Sequence, residues 1–158
     1  ITLNANTIAA NLTGLAADLA AAFTGITTHT GTLTLTAGAA AATVAQLVTI
    51  NAATTGVITL NAATIAADYS DTAANLVAAF AGITTHTGTL TATGATTVTQ
   101  ANALDTVSAG VVTATIDGTA TSLATLSGTT GDYTITLTAG GIAATLAELV
   151  SINAATTG

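Results

Sequence analysis

Residues 1–34 read ITLNANTIAANLTGLAADLAAAFTGITTHTGTLT, and residues 58–91 read ITLNAATIAADYSDTAANLVAAFAGITTHTGTLT. The second passage is the first with scattered substitutions, so the chain is a tandem repeat. Repetition of this strength marks a stacked array, in which one unit cannot bury its apolar face alone and uses its neighbour as the other half of the core. A second echo overlaps the first: residues 32–56, TLTLTAGAAAATVAQLVTINAATTG, return at 134–158 as TITLTAGGIAATLAELVSINAATTG. After Gly56 the text resumes with Val57 and ITLNA, so Gly158 falls where a further unit is expected to begin. That placement predicts a segment of a longer tandem protein, or a subunit that continues head to tail.

Working outward from the repeats, each unit opens on a short alternating run: ITL at Ile1, TLTLT at Thr32, VITL at Val57, TLTAT at Thr89, VVTATI at Val111 and YTITLT at Tyr133. Leu, Ile or Val alternating with Thr is the period-two pattern of a strand with one buried face. Six strands at intervals of about 22 to 32 residues divide the chain into rungs 1–31, 32–56, 57–88, 89–110, 111–132 and 133–158, all within one continuous array. Between strands the period becomes helical. Leu15, Leu19 and Phe23 share one face, Leu76 and Phe80 repeat it, and Ile142, Leu146, Leu149 and Val150 form the cleanest apolar stripe. Asp71 and Thr119 or Thr121 stand where helix starts need an acceptor, and Gly25, Gly82, Gly56 and Gly110 stand where left-handed caps are expected. Residues 111–132 leave room for only one or two helical turns. Residues 7–13 and 64–70 are compatible with a second strand, a loop or an early helical turn.

Strand, crossover helix and parallel strand form the βα unit. Six in series predict an α/β solenoid, a rod advancing roughly 29 Å if strand spacing of about 4.8 Å sets the rise. An all-strand parallel β-helix is the competing architecture. Neither Ile1, inside a strand motif, nor Gly158, in a turn used internally, has the polar character of a solenoid cap, and open sheet ends template further backbone pairing. Further copies of the chain, or adjacent repeats, stacked head to tail are the expected partners.

Composition excludes several functions. Lys and Arg are absent and seven acids give a formal charge of −7. With no cation to neutralise phosphate, nucleic acid and anionic lipid are poor partners. Cys is absent, so disulfides and thiolate sites are ruled out. Mean hydropathy is +0.74, yet the apolar content is mostly Ala broken by Thr, Asn and Gly, and no run of about 18 apolar residues predicts a membrane span. The four aromatic residues, Phe23, Phe80, Tyr69 and Tyr133, are too few for the girdles of an outer-membrane barrel.

Nothing in the chain assembles a catalytic constellation. His29 and His86 occupy identical TTHTG turns and read as turn residues copied with the repeat, since neither has a second His or a carboxylate beside it. The acids Asp18, Asp68, Asp71, Asp105, Asp117, Asp132 and Glu148 do not recur in register, and the Gly- and Asp-rich nonapeptide of calcium β-rolls is missing. No cofactor, metal or enzymatic activity is therefore expected. The one surface feature with some specificity is the outward Thr of the strands. Thr32, Thr34 and Thr36, Thr89, Thr91 and Thr93, Thr113 and Thr115, and Thr134, Thr136 and Thr138 would stack as ladders if the strands align. Such ladders could face ice or polysaccharide, or simply stabilise the sheet.

The stretches VITLNAATIAADYSDTAANLVAAFAG, LVSINAATTG and VVTATIDGTATSLATL resemble the Ala-, Thr- and Gly-rich repeats of giant secreted bacterial surface proteins, including cyanobacterial ones. The resemblance covers essentially the whole chain. It implies an extracellular or cell-surface location and a role in adhesion, a surface coat, a biofilm matrix or a filament; no calcium dependence carries over. The expected function is structural: a filament, stalk or coat built by rung-on-rung stacking. The alternative is a ligand-binding adhesin or an ice- or polysaccharide-binding region using the Thr face.

Overall fold

The computed structural model describes residues 2–38, 40–128, 131–138 and 142–157. Short helices alternate with short strands throughout. In chain order they are α1 (Ala5–Ile8), β1 (Leu12–Gly14), α2 (Ala16–Phe23), β2 (Leu33–Leu35), α3 (Val44–Ala53), β3 (Ile58–Thr59) and α4 (Ala62–Ala66). They continue with β4 (Tyr69–Thr72), α5 (Ala73–Phe80), β5 (Leu90–Ala95), α6 (Val98–Val107), β6 (Val112–Gly118), α7 (Ala120–Leu123), β7 (Gly131–Leu137) and α8 (Leu146–Ala154).

The strands form two parallel sheets, ordered β1-β2-β3 and β4-β5-β6-β7. Neighbours in sequence are neighbours in space, which short crossovers enforce. Register is set by alternation: Leu33 and Leu35 are buried while Thr34 between them is half-buried, and Leu12, Leu33 and Ile58 stand one above another. In the second sheet Tyr69, Leu90 and Val112 do the same. Helices pack in the same succession, α2 on α3, α3 on α5, α5 on α6, and α7 on α8.

Local chemistry explains the helix starts. Thr43 with Gln46, Thr97 with Gln100 and Thr145 with Glu148 form three reciprocal capping boxes. Asn4, Asn61, Thr72 and Thr119 cap α1, α4, α5 and α7 with their side chains. Gly25 and Gly82 leave α2 and α5 in the left-handed region, at φ 75° and 73°.

Several expectations need correction. The described residues hold seven strands in two sheets, not one ladder of six rungs. The extra strands are β1 and β4, from the stretches compatible with strand, loop or turn; α1 and α4 precede them. Thr2 to Asn4 carry no strand, for no described strand lies beneath them as β2 lies beneath Ile58–Thr59. The ladder breaks after β3 because Asn61 turns the chain into α4, accepting from the Thr64 N–H at 2.8 Å while donating to the Thr36 carbonyl at 2.8 Å. One buried apolar cluster nevertheless runs past the break, from Leu19, Leu33 and Leu47 through Leu76, Phe80 and Leu90 to Ile116 and Leu123. Gly56 and Gly110 do not adopt the left-handed conformation expected of them; both are needed for close backbone approach. The stripe of Ile142, Leu146, Leu149 and Val150 faces outward, with exposures of 42% to 89%. The expected turn at Gly158 and strand start at Ile1 lie outside the described residues.

Candidate functional site

Among the described residues, two equivalent stacks hold four of the six buried polar side chains, His29 with Thr54 and His86 with Ser108; Thr64 and Thr96 lie elsewhere. His29 is fully buried; one ring nitrogen, Nε2, lies 2.9 Å from the Ala10 carbonyl and the other, Nδ1, 3.0 Å from the Thr54 hydroxyl. His86 repeats this with the Ala67 carbonyl at 2.9 Å and the Ser108 hydroxyl at 2.9 Å. A carbonyl only accepts, so Nε2 carries a proton, while the single protons of the Thr54 and Ser108 hydroxyls are shared between Nδ1 and the Gly31 and Gly88 carbonyls, which lie 3.0 and 3.2 Å from them. Each histidine thus ties together three turns that lie 19 to 25 residues apart in the chain. Phe23 meets His29 edge-on at 5.0 Å between ring centres, and Phe80 lies 4.7 Å from His86.

The turns touch through their backbones. A Cβ on Gly31 would overlap the Ala10 carbonyl, and one on Gly56 the Gly31 carbonyl; Gly88 and Gly110 stand likewise on the Ala67 and Gly88 carbonyls. His29 pairs with Thr54, and His86 with Ser108, as isolated parallel bridges. The imidazoles are therefore staples inside a stack, and burial pushes the His86 pKa below the ordinary value, opposed by its bond to the Ala67 carbonyl and by Asp68. Sequence reasoning placed both in turns and missed this role, although the Gly two residues after each His signals a turn that another backbone closely approaches.

The Thr ladders form only in part. Thr34 stands between Thr13 and Thr59, and Thr91 between Ser70 and Thr113, with Asp132 next in that column. Thr93 faces Thr72, but a shift in register after Thr91 pairs Ala95 with Thr115, and Gly94 at φ 75° makes that irregularity. Thr115 continues to Thr134, whereas Thr136 meets Asp117. Thr32, Thr36, Thr89 and Thr138 lie at strand margins, where the backbone N–H groups of Thr32 and Thr89 donate to Asn11 and Asp68. None of the eleven is buried, so all face outward, in columns too short and interrupted for one flat plane.

The grooves hold few titrating groups, Glu148 in one and Asp71 in another. One of about 330 Å³ is lined by Asn51, Thr54, Thr55, Gly56, Val57 and Ile58 together with Ala81, Gly82 and Ile83, none of which titrates. Among the described residues no three His, Asp or Glu side chains converge as a metal site, and no helix is long and apolar enough to cross a membrane. Tyr133 has a buried hydroxyl with no partner among the described residues, and burial, with Asp105 nearby, pushes its pKa up to about 12. No family model, no curated protein and no solved structure matches this chain.

Proposed function

We propose that this chain is a structural, non-enzymatic repeat protein of the bacterial surface or extracellular matrix, a one-dimensional array that forms or extends a filament, stalk or coat. One observation carries the reading: the stack of Ala10, His29 and Thr54, sealed by Gly31 and Gly56, recurs as Ala67, His86 and Ser108, sealed by Gly88 and Gly110. Each unit completes its polar and apolar interior only against the next, which is the energetic logic of a repeat array. Parallel sheets in sequential strand order, the uninterrupted apolar cluster and the absence of cations from the sequence support it. The broken Thr columns make a scaffold the stronger reading over a flat ligand-binding face. The test is a tandem gene encoding two copies of the chain joined end to end. A single rod in negative-stain micrographs, with a melting temperature above that of one copy, supports the proposal. Two separate beads that melt like one copy overturn it.

A further inference from the structure

The last strand and helix copy an earlier pair, and the two pairs differ in what covers them. Residues 134–157 repeat 32–55. Yet Leu35 is 3% exposed and Leu137 49%, Leu47 1% and Leu149 42%. Leu146 and Val150 are exposed where Val44 and Val48 are half-buried. The inner sides agree, since Ile50 and Ala53 are buried and so are Ile152 and Ala155. Helix α8 thus packs on its own rung as α3 does and differs only on its outer face.

Residues 59–81 cover that face of α3. Helix α5 packs along it. Asn61 Nδ2 donates to the Thr36 carbonyl at 2.8 Å, and the Ala42 N–H donates to the Thr64 hydroxyl at 3.0 Å. Asn51 Nδ2 donates to the Ala79 and Ala81 carbonyls at 3.1 and 2.9 Å, and the Tyr69 hydroxyl to the Ala42 carbonyl at 2.9 Å. The opening repeat carries the same partners: Asn4 for Asn61, Thr7 for Thr64, and the Ala22 and Thr24 carbonyls for those of Ala79 and Ala81. There they are uncovered. Thr64 and Ala79 are wholly buried, while Thr7 and Ala22 are exposed. The chain therefore owns both halves of a junction that it forms once internally.

We propose, resting on the stacking reading above, that the outer face of β7 and α8 docks residues 2–24 of a second copy of this chain, in the register that β2 and α3 keep with residues 59–81. Asn153 of one copy donates to the Ala22 and Thr24 carbonyls of the next. Asn4 of the next donates to the Thr138 carbonyl, and the Ala144 N–H donates to its Thr7 hydroxyl. Thr2 lies opposite Thr136, as Thr59 lies opposite Thr34. Leu146, Leu149 and Val150 are the apolar centre. Leu12 replaces Tyr69, so the hydroxyl bond to the Ala42 carbonyl is the one contact with no counterpart. Two different faces meet, so the contact is heterologous, and because it repeats the strand-on-strand stacking of the internal junction it propagates along the stack.

Sedimentation velocity on the chain and on Ala22→Glu and Val150→Glu provides the test; both positions are exposed, so both variants fold, as circular dichroism checks. The unmodified chain elongates with concentration, and each variant alone associates more weakly, Ala22→Glu by roughly 100-fold or worse because its carboxylate would be buried without a partner as Ala79 is buried, and Val150→Glu by roughly 10-fold because its position would be half-buried as Val48 is. An equimolar mixture of the two gives a dimer and nothing larger, since one variant keeps each face intact. A mixture that stays monomeric, or either variant pairing with itself, overturns the docking. If the tandem chain nevertheless forms one rod, the covalent array stands and only docking of a free copy fails.

Discussion

His86 shows what a single residue contributes here. Its ring is fully buried with both nitrogens bonded, and its pKa is depressed, so the folded state favours the neutral form. In the unfolded chain the ring takes a proton near its ordinary value of 6.5. The stability it contributes is therefore complete above that pH and is lost as pH falls from there towards the depressed folded value. Urea melts at stepped pH should show the chain weakening below that point and a His86→Gln variant weakening less; equal slopes would contradict the assignment. The two tyrosines make a second contrast. The Tyr69 hydroxyl donates to a buried carbonyl, whereas that of Tyr133 has no partner among the described residues. Tyr69→Phe should cost about 1–3 kcal/mol, and Tyr133→Phe should be neutral or stabilise by about 1 kcal/mol, in the same melts.

At the scale of elements, packing between turns sets the tolerances. Gly88→Ala drives a methyl into the Ala67 carbonyl and should destabilise by at least about 1–3 kcal/mol, whereas the same change at Gly82 meets nothing within contact distance and costs only its left-handed backbone strain, about 1 kcal/mol. Thermal melts of the two variants separate these costs; the reverse ranking would refute the stacked turns. Much of the element pattern was readable beforehand. Strands at Thr32, Thr89, Val111 and Tyr133 follow from alternation, and the short helix after Val111 follows from the room left for it. Strands β1 and β4 were ambiguous because LTG and YSDT are short and carry Gly, Ser and Asp; pairing with β2 and β5 makes them strands. The burial of His29 and the exposure of α8 were not readable at all. Both depend on which segment lies alongside, 19 or more residues away in one case and on a covering repeat in the other. The T-x-x-Q and T-x-x-E pattern of the three capping boxes is local and so legible in the sequence.

For the whole molecule, electrostatics opposes the proposed assembly, which rests on apolar contact and uncharged hydrogen bonds. Every copy has a formal charge of −7 and no Lys or Arg. Like-charged copies repel over distances that salt shortens, from a Debye length of about 30 Å at 0.01 M to about 8 Å at 0.15 M. Light scattering at fixed protein concentration should therefore rise with sodium chloride over that range; a fall would mean that charge attraction holds the copies together. The central claim is that each unit is completed by the next along one direction, with strands lying across that direction. Fibre diffraction from aligned assemblies tests it most directly. A reflection near 4.8 Å along the fibre axis is the predicted result; the same reflection at right angles to the axis, or compact particles that never align, would contradict it.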